Sequence, residues 1–133
     1  MSTLPQASPT TTAQSLAGSQ IQSTYADTGP GTGADVGAYP RAVASGSLAV
    51  AGAITTFTVQ LVAFYPGGSE GIPILSSKPG SATAATEHTY TSAGDWCLLT
   101  TNHAGGVLYV GVKGDVDGTA GDTFTAYVVG CSP

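Results

Sequence analysis

The chain has 133 residues, and only Arg41, Lys78 and Lys113 carry a permanent positive charge against eight acids, for a formal net charge of −5. So few cations cannot neutralise a run of phosphates, which argues against partners such as nucleic acid or an anionic membrane surface. No apolar segment approaches the roughly 20 residues needed to span a bilayer as a helix, and the length suits one folded domain.

Residues 1–40 stand apart in composition. They hold Pro5, Pro9, Pro30 and Pro40, the run Thr10-Thr11-Thr12 and the stretch Thr28-Gly29-Pro30-Gly31-Thr32-Gly33. Large apolar residues are too sparse here to build a separate core. The segment is expected to be an extended N-terminal arm that orders on a partner, with Leu4, Leu16, Ile21, Tyr25 and Tyr39 as its anchors. The opening Met1–Pro9 has neither the basic nor the apolar region of a secretion signal, so synthesis without export is the expectation.

From residue 41 to residue 133 the pattern is that of a β domain. Ser47–Val50 is a short apolar run. In Ala53–Tyr65, Phe57, Val59, Leu61 and Ala63 alternate with Thr56, Thr58, Gln60 and Val62, which predicts a strand with one buried and one wet face. Pro66-Gly67-Gly68 ends it as a turn. Pro73 confines Ile72–Leu75 to a sheet edge or a bulge. Beyond the turn Lys78-Pro79-Gly80, Thr86–Thr91 places His88 and Tyr90 on one face. In Asp95–Thr101, Trp96, Leu98 and Thr100 alternate with Cys97, Leu99 and Thr101. A turn at Asn102–Gly106 precedes Val107–Val112, and Asp122–Val129 closes the series. Seven short strands punctuated by Gly and Pro predict an all-β fold, an antiparallel β-sandwich of jelly-roll or immunoglobulin-like type. Trp96 is expected in the core with its indole N–H on an acceptor.

Few residues suggest chemistry. Asp115, Asp117 and Asp122 alternate around Gly118 and Gly121, a spacing that could offer oxygen ligands to calcium. The Glu that completes a helix–loop–helix calcium site is missing, and Asp-Gly pairs also form plain turns. Apart from calcium no cofactor is implied. Cys97 and Cys131 lie beside apolar runs, where a disulfide (worth roughly 4 kcal/mol in the chain-entropy model) and two free thiols are both open. His88 and His103 lack zinc-ligand spacing to them. No nucleophile–base–orienter set is legible, so no enzyme is expected. Charged residues make up 8% of the chain, against about 25% in ordinary domains. That surface offers little repulsion between subunits, and a homo-oligomer is expected.

An arm rich in Pro, Thr and Gly (Ser2–Pro40), a compact β domain (Ser45–Cys131) and Thr-rich strand faces such as Thr56/Thr58 and Thr123/Thr125 together resemble small accessory proteins of tailed-phage virions. The resemblance implies a non-enzymatic capsid decoration, or cement, protein. Such a protein would be made in the host cytoplasm, form trimers, and bind the major capsid protein on the capsid surface through strand addition by its arm. A fibre, spike or tail accessory subunit is the neighbouring alternative. A secreted β-sandwich module that binds carbohydrate or calcium is the alternative from another class.

Overall fold

Two antiparallel sheets face each other in the computed structural model, which describes residues 12–27, 34–36, 39–49, 54–64, 71–100, 107–118 and 122–131. The strands are β1 (Thr12–Ala17), β2 (Ala26–Asp27), β3 (Ala34–Asp35), β4 (Arg41–Ala49), β5 (Phe57–Phe64) and β6 (Ile72–Ile74). They continue with β7 (Ser76–Ser77), β8 (His88–Tyr90), β9 (Gly94–Thr100), β10 (Val107–Gly114) and β11 (Thr123–Cys131). One sheet runs β1-β11-β4-β9-β7. The other runs β2-β10-β5-β6, with β3 also on β10 and β8 also on β5. The chain is thus an all-β sandwich, as its period-two patterning predicts, and β6 with its Pro73 lies at a sheet edge.

The core is built from alternate residues of both sheets. Phe57, Val59, Leu61 and Ala63 of β5 and Leu108, Val110 and Val112 of β10 meet Ala42, Ala44 and Leu48 of β4, Trp96 and Leu98 of β9, and Phe124, Ala126 and Val128 of β11. Trp96 stacks on Phe124 at 5.5 Å between ring centroids with planes 5° apart. Gly46 lies between the strands that carry these rings, opposite Trp96 on one side and Ala126 on the other. A Cβ at Gly46 would come within 1.8 Å of the Thr125 carbonyl oxygen, so only glycine lets β4 run this close to the β11 backbone here. The Trp96 indole N–H is buried without an acceptor, contrary to expectation.

β4 begins six residues before the apolar run at Ser47. Its inward positions there are Ala42 and Ala44, whose small side chains contrast weakly with Val43 and Ser45 opposite. The N-terminal segment differs more. β1 is extended, but its partner is the chain's own last strand, from Thr12 opposite Val128 to Ala17 opposite Thr123. A single 3-10 turn, Gly18–Gln20, follows, and β2 and β3 add to β10. Leu16, Ile21 and Val36 are buried in the common core. Among the described residues the sandwich therefore begins at Thr12 rather than at residue 41. Few apolar residues suffice because they fill a core that other strands have already built.

Candidate interaction face

The outer face of the five-stranded sheet is set by the alternation in β4, β9 and β11. With Ala42, Ala44 and Leu48 buried, Arg41, Val43, Ser45 and Ser47 point outward. In the same way Asp95, Cys97 and Leu99 of β9 and Thr125, Tyr127, Val129 and Cys131 of β11 face away from the core. Cross-strand register arranges them in rows. Leu99, Val43 and Val129 form one row, and Cys97, Ser45 and Tyr127 the next. Asp95, Ser47 and Thr125 form a third, with Ser47 and Thr125 joined by hydrogen bonds of 3.4 Å. Tyr127 is 42% exposed, and the other apolar members are half-buried.

Two shallow depressions lie on this face. One of about 570 Å³ is lined by Arg41, Val43, Ser77, Leu99, Thr100 and Cys131. The other, of about 600 Å³, is lined by Ser45, Ser47, Asp95, Cys97, Thr125 and Tyr127. Among the described residues, Arg41 and Asp95, both exposed, are the charged residues of the face, one toward each end. The remaining two cations are engaged elsewhere. Lys78 Nζ donates to the Thr89 carbonyl at 2.9 Å and lies 4.2 Å from the Tyr90 ring centroid. Lys113 Nζ lies 4.8 Å from that of Tyr25, a cation–π geometry in both cases.

The expected arm anchors are divided. Leu16 and Ile21 are buried in the core. Tyr39 is half-buried and holds its ring where a Cβ on Gly130 would come to 2.3 Å. Tyr25 sits beside Lys113 on the other sheet. Its hydroxyl is buried near Glu87 without regular hydrogen-bond geometry. Burial first, then Glu87, holds it well above the ordinary phenol range. Leu4 lies outside the described residues, as do Asn102 and His103.

The three aspartates do different work. Asp115 accepts from the Thr55 backbone N–H at 3.0 Å and from the Thr55 hydroxyl at 2.5 Å. That hydroxyl above all holds its carboxyl below the usual range. Asp117 accepts from the Ser23 N–H at 3.0 Å. The backbone N–H groups of Gly114 and Gly118 donate to the carbonyls of Gln22 and Ile21. The stretch therefore clasps the segment after β1 to the sandwich. Asp122 is buried and engaged within the fold. Among the described residues no three His, Cys, Asp or Glu side chains converge as a metal site would require.

Cys97 and Cys131 are free thiols. Cys97 pairs with Ser45 and Cys131 with Arg41, on opposite sides of β4 and four residues apart along it. That is about 13 Å along the strand, beyond the reach of a disulfide. Burial pushes the Cys97 thiol up, away from nucleophilic reactivity. His88 Nε2 donates to the Ser76 and Ala85 carbonyls at 2.8 and 3.2 Å and fixes the backbone bridge between those residues. The sequence did not indicate this role, since neither carbonyl belongs to a patterned strand.

The chain matches no protein-family model and no curated protein. Among solved structures it is similar to the crystal structure of the SPBc2 prophage-derived protein YomS, with 13% identity and a TM-score of 0.47 over 90% of this chain and 94% of that one.

Proposed function

We propose that this chain is a non-enzymatic structural subunit of a virion and, within that class, a capsid decoration protein that binds the major capsid protein and stabilises the shell. The observation that carries the reading is the open face of the five-stranded sheet. Its apolar and hydroxyl side chains, with one cation and one anion, suit close contact with protein and offer no site for phosphates. The resemblance of the sequence to accessory proteins of tailed-phage virions supports the same class. Chemistry finds little support, because the His88 ring is spent on backbone carbonyls and the Cys97 thiol is pushed toward its neutral form.

β1 is an edge strand, and residues 2–11 precede it. Strand addition at such an edge supplies backbone hydrogen bonds to a neighbour, which gives the decoration reading a mechanism. The test is gradient purification of virions from cells that express the full chain, followed by mass spectrometry. The expected result is the chain banding with capsids, and less of it when residues 2–11 are deleted. A chain that stays at the top of the gradient while capsids band would overturn the reading.

A further inference from the structure

We infer that the open face of the five-stranded sheet docks on the same face of a second copy, related by a two-fold axis, with Arg41 of each copy paired to Asp95 of the other. The inference deepens the reading of this face as a protein-contact surface by naming a second copy as its occupant, which leaves the capsid contact to strand addition at the β1 edge. It does not depend on the assembly being a virion.

The argument is one of register and charge. Arg41 opens β4, and Asp95 lies opposite Ser47, six residues further along β4 and one strand to the side. Their midpoint along the strand is the level of Ala44. Place a two-fold axis between two facing sheets, perpendicular to the strands at that level. Arg41 of one copy then arrives over Ser47 of the other, about 4.8 Å from the strand that carries Asp95. A guanidinium spans that distance easily, and the axis makes the contact twice.

The same operation matches the apolar rows. Positions 43 and 45 of β4 exchange across the axis. The row Leu99, Val43, Val129 therefore lies on the second copy's row of Cys97, Ser45 and Tyr127. Bulky side chains face small or flat ones, as interdigitating sheet faces require. Both rows are left half-buried or exposed by the isolated chain.

Charge favours a second copy over other occupants. The chain carries −5 overall, yet this face carries one charge of each sign, and they are placed to be self-complementary. Asp115 and Asp117 lie in the loop after β10, Asp35 lies in the other sheet, and Asp122 is buried. The footprint, the three strands β9, β4 and β11 over about seven residue levels, is about 330 Å² per copy. That is small for a stable complex, so pairing should depend strongly on the two Arg–Asp contacts.

The test is a charge exchange read by light scattering, on the full chain at tens of micromolar. The wild type is expected at twice 13.1 kDa. Arg41→Glu and Asp95→Lys alone each set like charges together and should weaken association at least about tenfold. The double variant Arg41→Glu/Asp95→Lys restores the pairs and should recover the dimer. Circular dichroism confirms that each exposed-site variant folds. A wild type that stays at single mass at about 100 µM, a dimer indifferent to the single changes, or a double variant no better than the singles would each overturn the inference. Virion banding is measured separately. A chain that bands with capsids but never pairs loses this inference alone, and one that pairs but never bands loses the virion reading alone.

Discussion

On the six-stranded sheet Tyr109 and Val62 point outward and are 3% and 2% exposed, while on the five-stranded sheet Tyr127 points outward and is 42% exposed. The sheets have similar strands and the same inward alternation, so the difference lies in what the chain does with its outer faces. The Tyr109 hydroxyl and Val62 reach the Gly71 backbone so closely that a Cβ there would lie 1.9 and 2.4 Å from them. Lys113 lies over Tyr25 on the same sheet. The centre of that sheet's outer face is thus covered by its own chain, while Ile72 and Leu75 at its β6 edge stay 52% and 49% exposed. The other sheet has an outer face of apolar and hydroxyl side chains that the described residues leave half-buried or exposed.

The contrast can be broken first at the shared core. Deleting residues 2–40 removes β1, β2 and β3 with Leu16, Ile21 and Val36. It should abolish the cooperative thermal transition, whereas a separable arm would leave a melting sandwich. Phe124→Ala empties the space against Trp96 and should lower unfolding free energy by about 3–5 kcal/mol in urea titrations.

The outer faces themselves are compared by a pair of truncations, measured at low protein concentration. Tyr109→Ala should cost about 3 kcal/mol or more, as a buried aromatic does. Tyr127→Ala should stay within about 0.5 kcal/mol. Equal losses would erase the distinction between a closed and an open face.

The smallest effect concerns Asp115. Its folded carboxyl is held below the unfolded value, so its stabilisation is present above the unfolded pKa of about 4 and is lost as pH falls through the folded one. Asp115→Asn should therefore lower the melting temperature at pH 7, and the difference from wild type should close at acidic pH. A pH-independent difference would remove the Thr55 contact as its cause.

Much of this was legible in the sequence where large apolar residues alternate with polar ones. β5, β9 and β11 announce themselves through Phe57 to Ala63, Trp96 to Thr100 and Phe124 to Val128. The first half of β4 does not, because Ala42 and Ala44 fill inward positions with side chains too small for contrast. The N-terminal strands were missed for a different reason. Leu16 and Ile21 look isolated in sequence, and only the register of β1 on β11 shows that they complete a core supplied by distant residues. Gln60 and Val62 were expected to be wet from period two alone. Both are buried, and over Val62 the chain returns at Gly71; local alternation carries no information about such a crossing. The Asp115–Asp117 loop reads as a plain turn more than as a calcium ligand set, and its clasp on Thr55 and Ser23 shows only when those residues arrive from far along the chain.

Two native thiols report directly on the open face, since Cys97 and Cys131 both lie on it. The most direct measurement is their rate of alkylation by a neutral maleimide, followed by mass spectrometry across a hundredfold range of protein concentration. If this face is where subunits meet, Cys97 labelling should slow as concentration rises, and Arg41→Glu should abolish the slowing. Rates independent of concentration in the wild type would contradict the account.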